Sequence, residues 1–201
     1  MTCSYTIIQL GSVCRYARTA RLAVMFPRLN ASLPEAEVDT PRRGAMYLAQ
    51  LAHKSEEFRV MEEIWGTTAQ QASYEGRPDL GNTQPGDGRR FKGRGVIQIT
   101  GRNNYRTAGE ALGLPLLLHP ELAAQPENAF RVAAWFWKTH GCNAPADKED
   151  LDGCTGIVNG GLTGIESRLR YYELAKDVLG VDRLSVQARF FLHPPGTKRG
   201  V

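Results

Sequence analysis

Glutamates crowd one short part of this 201-residue chain. Glu56, Glu57, Glu62 and Glu63 fall at the end of a predicted helix, and Glu75 follows at the start of a long loop. Two carboxylates held apart in unlike surroundings can divide proton donation and proton removal between them. Further along, Gln98 and Thr100 lie two residues apart, so an extended chain points both to one face. With Phe91, Val96 and Ile97 as apolar anchors, that polar pair is suited to face a cleft. The chemistry therefore centres on Tyr74–Tyr105, YEGRPDLGNTQPGDGRRFKGRGVIQITGRNNY.

The first half of this stretch is rich in Gly, with Pro78, Pro85, Asp79, Asp87 and Asn82 among few large apolar residues. A loop this long in a compact domain is usually functional or disordered. Its second half places Val96, Ile97 and Ile99 after Gly93-Arg94-Gly95, the pattern of a short buried strand or extended segment. Helices must hold both ends. Tyr5 to Met25 reads as a helix that Pro27 ends. Asp39-Thr40-Pro41 is a helix start, followed by Ala45, Leu48, Ala49 and Ala52 at helical spacing. This helix is expected to run to His53–Phe58, bend, and continue through Val60 to Ile64. Arg102 to Leu112 reads as a helix stopped by Gly113, and Pro126 opens another that Gly141 stops. In the latter, Ala129, Val132, Ala133, Phe136 and His140 share one side. Asp147 to Val158 holds a shorter helix. Asn159-Gly160-Gly161 turns the chain, and Thr163 caps a last helix from Gly164 to Leu179.

Composition sets the class. Hydrophobic residues at 42% and charged residues at 23% are those of an ordinary globular protein, and the length suits one domain with its own core. Residues 1–180 are read as that domain and 181–201 as a basic tail, on which Phe190-Phe191-Leu192 offers a docking point. No apolar run is long enough to span a membrane. No basic start precedes the apolar Tyr5–Val13, so a signal peptide is not expected and synthesis in the cytoplasm is. The net charge of +4 suits approach to anionic cell surfaces without demanding it. No basic stripe with interleaved aromatics is present, which speaks against nucleic-acid binding. Cys3, Cys14, Cys142 and Cys154 form no CxxC pair, so a zinc site is not expected. Four reduced thiols and a Cys142–Cys154 bridge both fit the spacing.

GRGVIQITGRNNY, from Gly93 to Tyr105, resembles the signature of family-19 glycoside hydrolases, the plant-type chitinases and their relatives. The longer run from Tyr74 is similar to the endolysin branch of phages and prophages, and the likeness extends from Ile8 to Gly180. The resemblance implies a mainly α (α+β) lysozyme-like fold, two lobes around a saccharide cleft with a small extended patch. It further implies a monomer acting on β-1,4-linked cell-wall polysaccharide, peptidoglycan or chitin, with no metal or cofactor. An inverting reaction is implied, in which one carboxyl protonates the leaving oxygen and another activates water.

On this resemblance Glu75 matches the general base, Thr100 positions the attacking water, and Gln98 completes the polar pair. At the helix end the family resembles His-Glu-Ser-Gly-Glu-Phe, its first Glu being the general acid. Here the chain reads His53-Lys54-Ser55-Glu56-Glu57-Phe58, so Lys54 occupies the acid position. An ammonium beside a developing oxocarbenium ion opposes catalysis. Three readings stand side by side: an inactive glycan binder, a neighbouring Glu that substitutes, or a single changed residue in a competent site. Glu57, one helical turn onward, and Glu63, which matches another Glu of the endolysins, are the candidate substitutes. The side chains of Glu75 and Lys54 are expected to face each other across one cleft. His53 suits a structural role or a backbone contact near the site. Asn159 reads as a sugar contact or a turn former. Tyr105 and Trp65 read as stacking surfaces or core, and Arg94 as a partner of Glu75 or a surface charge.

Overall fold

The computed structural model describes residues 3–66 and 68–181. Its centre is α3, Pro41–Lys54, begun by Thr40, whose side chain accepts from the Arg43 amide, and by Pro41 in the first turn. Every residue from Gly44 to Ala52 is buried, so α3 is enclosed on all sides rather than on one stripe. Its main neighbour is α10, Ile165–Leu179. Around this pair lie α1 (Ile7–Val13), α2 (Thr19–Glu35), α7 (Pro126–Thr139), α8 (Asn143–Asp147) and α9 (Leu151–Asn159). The loop side carries α4 (Ala69–Ala72), α5 (Asp87–Arg90) and α6 (Arg102–Leu112), with 3-10 turns at Pro78–Leu80 and Pro120–Ala124. The core joins Tyr47 to Trp137 edge-on at 5.1 Å and Phe58 to Phe130 at 5.6 Å.

Several boundaries differ from expectation. The first predicted helix is two. Thr6 and Gln9 form a reciprocal capping box on α1, and α2 carries Pro27 and Pro34 inside it. Pro27 is exposed, so the donor it lacks is missed on the wet side of the helix. Thr163 does not cap α10; Gly164 stands at that position with φ 78°. A bare Cα is needed there twice over, because a Cβ would lie 2.4 Å from the His53 ring. The predicted extended patch is reduced to two isolated bridges, Glu62 with Arg94 and Arg94 with Ile99. Gln98 has φ 57°, so the segment turns back on itself there. Phe136 is only half-buried and His140 is exposed, off the buried side predicted for them.

The largest departure follows Lys54. The helix neither bends nor continues. Glu56, Glu57 and Phe58 take left-handed conformations in succession, at φ 47°, 60° and 66°. Each such residue costs about 1–2 kcal/mol. The turn is held from three directions. Ser55 Oγ donates to the Leu51 carbonyl at 2.7 Å and accepts from the Phe58 amide at 2.9 Å. The Glu57 carboxylate accepts from the Tyr16 and Ala17 amides and, at 2.9 Å, from the Tyr171 hydroxyl. Phe58 is fully buried. The sharp turn fixes where α3 ends and so where the Lys54 side chain leaves the core.

The four cysteines are free thiols; Cys154 Sγ lies 3.5 Å from the Cys142 carbonyl oxygen, which fits the reduced reading. None of the described helices is long and apolar enough to cross a membrane. The basic tail and its Phe190-Phe191-Leu192 lie outside the described residues.

Candidate active site

Four predicted site residues converge. Lys54, Gln98, Thr100 and Asn159 line one cleft of ≈ 380 Å³. The end of α3 and the end of α9 form one wall. The segment Ile97–Thr100 forms the facing side, with Tyr74 and Arg77 from the loop. Phe136 and His140 close it from the end of α7, their rings stacked 3.9 Å apart at 14°. A hollow of ≈ 470 Å³ lies against Tyr105, and two still larger ones, of ≈ 540 and ≈ 640 Å³, open beside Arg90 on the outside of the loop. Of the candidates only Arg94 reaches either, and it is already paired with Glu62 at 3.1 Å.

Lys54 meets unusual electrostatics. Its Nζ donates to Asn159 Oδ1 at 3.4 Å, and Arg168 Nη2 donates to the same oxygen at 3.3 Å. Burial pushes the Lys54 ammonium down to about 8, the Arg168 guanidinium pushes the same way, and only Glu63 opposes them. Burial also lowers His53 to about 4, with Arg168, Lys54 and Arg170 adding to it, so this imidazole is neutral at pH 7. Arg168 is fully buried. It reaches Gln50 Oε1 through Nη1, and its Nε has no partner among the described residues.

Glu63 is the carboxylate that acts on Lys54. One oxygen accepts from Gln71 Nε2 and the other from the Gly93 amide, each at 3.0 Å. Gln71 is buried and also donates to the Ile64 carbonyl, so the carboxylate is oriented by a fixed partner. Gln98 sits beside it: a Cβ added at Gly93 would lie 2.7 Å from Gln98 Oε1 and 3.3 Å from Glu63 Oε2. Gln98 donates to the Gly95 carbonyl at 2.8 Å, and Thr100 Oγ1 donates to the Gln98 carbonyl at 3.0 Å. The hydroxyl keeps its lone pairs for a second partner in the cleft.

Glu75 is placed elsewhere. Its two oxygens accept from the Gly86 amide at 2.6 Å and the Gly88 amide at 2.8 Å, so it caps α5 and closes its own loop. Gly88 is needed for this approach, since a Cβ there would meet Glu75 Oε2 at 2.8 Å. Glu75 does not line the cleft with Lys54, against the expectation that the two oppose each other; the carboxylate that bears on the Lys54 charge is Glu63. Glu57 is no substitute acid either, being only 2% exposed and committed to three donors. Arg94 serves Glu62 and not Glu75. Tyr105 is core, with its hydroxyl donating to the Lys92 carbonyl at 2.7 Å and accepting from Arg94 at 3.1 Å. His53 packs on Gly164, and Trp65 faces Tyr74 at 6.3 Å. The stacked Phe136–His140 pair and Tyr74 were missed as cleft residues. The i, i+4 spacing of Phe136 and His140 at the end of a helix was the available signal.

The comparisons with known proteins agree with this architecture. A family model described as chitinase class I, family 19 of the glycoside hydrolases, matches residues 67–157. A family-19 domain-containing protein of Haemophilus influenzae is 30% identical over 176 residues, 74% of this chain and 86% of that protein. An endochitinase of Arabidopsis thaliana is 35% identical over 140 residues, 65% of this chain but 46% of its own length. The chain thus spans about half of that plant enzyme. Among solved structures, chitinase C from Streptomyces griseus superposes with a TM-score of 0.68 at 22% identity, covering 87% of this chain and 92% of that one. A class IV chitinase from Zea mays gives 0.64 at 21%, covering 86% and 91%. The fold is the mainly helical, lysozyme-like fold of chitinase-like glycan hydrolases. The chain belongs to glycoside hydrolase family 19.

Proposed function

We propose that the protein is a cell-wall glycan hydrolase of the endolysin type that binds an N-acetylhexosamine polymer along this cleft. Peptidoglycan is the proposed polymer, and hydrolysis is limited by the proton donor at position 54. The observation that carries this reading is the convergence of Lys54, Gln98, Thr100 and Asn159 on one cleft, with the Glu63 carboxylate next to Gln98 and acting on the Lys54 charge. Glu63, held by two donors on the loop wall, is read as the carboxylate that activates water. Thr100 holds that water and Gln98 orients the sugar. The stacked Phe136 and His140 rings and Tyr74 offer flat apolar faces to pyranose rings.

Lys54 supports a second reading, a glycan binder without turnover. A neutral or weakly acidic proton donor is replaced by a cation where positive charge develops in the transition state. Loss of general acid catalysis alone costs on the order of 10²–10⁴-fold. Clearing of purified peptidoglycan, and reducing-end release from chitin oligosaccharides, by wild type and Lys54→Glu separate the two. Slow clearing by the wild type and fast clearing by Lys54→Glu support the hydrolase. No clearing by either protein leaves only binding.

A further inference from the structure

Cations outnumber carboxylates around Lys54 to an extent that the hydrolase reading does not use. Arg168 is a guanidinium with no solvent exposure, and no acidic group among the described residues moves its pKa; burial alone pulls it down to about 10. Among the described residues its only side-chain partners are the neutral Gln50 and Asn159, and its Nε is unpaired. A buried charge of this kind is costly without a counter-charge. Lys54 adds a second cation against the same Asn159 oxygen. Among the described residues only one of its three N–H groups meets an acceptor, and that bond is long. Two cations that share one amide oxygen leave an unmet demand for negative charge at the floor of an open cleft.

We propose that Lys54, backed by Arg168 through Asn159, is a receptor for a carboxylate carried on a sugar ring of the bound glycan. The ligand class is an acidic amino-sugar strand, in which an N-acetylhexosamine bearing an ether-linked carboxylate alternates with a neutral one. The inference rests on the reading of the cleft as a glycan site and names the residue that recognises the acidic groups of the strand. The ligand carboxylate accepts from Lys54 Nζ, whose remaining N–H groups point away from Asn159. Arg168 does not touch the ligand; its field and its hold on Asn159 make it a positioning residue. Glu63 offsets the site only in part: it favours the Lys54 ammonium, but burial and Arg168 outweigh it. Arg77 lines the same cleft but is tied to Asp79.

Binding should weaken as pH rises through about 8, where the Lys54 ammonium loses its proton. The charged and titratable groups around it are Arg168 and Arg170 on α10, Glu63, Tyr74 and Arg77 on the loop, and His140 after α7. His53 on its own helix is neutral throughout that range.

The test uses three probes by calorimetry on the full chain: a peptide-free peptidoglycan tetrasaccharide, the same tetrasaccharide with its lactyl carboxylates amidated, and chitotetraose. The wild type is expected to bind the acid form at least about tenfold more tightly than the amide, the worth of one charge-assisted hydrogen bond. Lys54→Met is expected to lose that preference, and Lys54→Arg to keep it. Equal affinity of the wild type for acid and amide overturns the receptor, and this comparison needs no variant to fold. If chitotetraose binds as well as the acid strand, the glycan cleft stands and the carboxylate receptor falls. If none of the three binds, both readings fall.

Discussion

The two walls of the cleft use charge in opposite ways. The helical wall, formed by the ends of α3 and α9 and backed by α10, buries cations, Lys54 and Arg168, against neutral amides. The loop wall from Glu62 to Arg102 spends its carboxylates on backbone and arginines. Glu75 takes two amides, Glu63 takes one amide and Gln71, and Asp87 takes the Gln84 amide and Arg102. A loop without regular strands has many unpaired N–H groups, and carboxylates satisfy them more strongly than neutral acceptors do. A helix pair has satisfied its backbone already, so its side chains are free to set the electrostatics of the site. An acidic residue in a loop of this kind is therefore a weaker pointer to catalysis than a charged residue at a helix end.

Position 54 is where the comparison breaks most sharply. Lys54→Glu places a carboxyl beside Arg168 and gives the buried guanidinium a counter-charge. Hydrolysis is expected to rise at least about tenfold, with 10²–10⁴-fold as the full worth of a general acid. If the wild-type Lys also holds an acidic substrate, kcat and KM should rise together on peptidoglycan, while only kcat rises on chitin. Initial rates over a range of substrate decide this. Glu63→Gln in the Lys54→Glu background should return most of the gain with binding retained. Unchanged clearing would remove Glu63 from the reaction.

Asp87 tests the loop wall. Its side chain is 2% exposed and bonded by Arg102 at 2.8 Å, which itself lies over the Phe91 ring at 4.8 Å. The Arg102 bond, with the Gln84 amide, holds the Asp87 carboxyl below the usual carboxylate range despite its burial. A lowered carboxyl contributes stability that is full above its unfolded pKa and is lost as pH falls through the folded value. Asp87→Asn should cost about 2 kcal/mol at pH 7, less than a fully buried pair because Arg102 is partly exposed. It should also flatten the acid limb of the stability profile. Glu75→Gln is expected to cost less, about 1 kcal/mol, since Glu75 is exposed. Its effect on hydrolysis should stay within about threefold. A loss as large as that of Glu63→Gln would return Glu75 to the mechanism.

Sequence made the regular parts legible. Pro41 after Thr40, Gly113, Pro126 and Gly180 are local signals, and α3, α6, α7 and α10 begin or end at them. The GRG segment was legible as the cleft side, through Gln98 and Thr100. Glu75 was misplaced because its partners, Gly86 and Gly88, are reached only when the loop closes. That closure depends on Asn82 joining the Tyr74 carbonyl to the Arg102 amide, a contact no local pattern carries. The break between α1 and α2 was hidden for a similar reason. Glu57 accepts from the Tyr16 and Ala17 amides across some forty residues and fixes the chain between the two helices.

The smallest effect is expected for Glu56→Gly, in the turn that ends α3, where Glu56 and Glu57 have the same backbone hand and opposite surroundings. Glu56 is exposed at φ 47°, and its side chain makes only an exposed pair with Arg59 at 3.3 Å. Glu57 at φ 60° is buried and takes three donors. The resembling hexapeptide of the family carries Gly at the first of these positions. Glu56→Gly should relieve about 1–2 kcal/mol of left-handed strain. It gives back about 0.5–1 kcal/mol through the freer unfolded chain, and a few tenths from the lost surface pair. The net gain is about 0.5 kcal/mol, or roughly 1–2 °C in Tm for a chain of this length. Glu57→Gly relieves the same strain but strands the Tyr16 and Ala17 amides and the Tyr171 hydroxyl, at about 1–3 kcal/mol for each buried group left unpaired. It should therefore lower Tm. Thermal unfolding of both variants beside the wild type reads the difference directly. Equal shifts for the two would mean that backbone strain, and not the Glu57 carboxylate, governs where α3 ends and where residue 54 points.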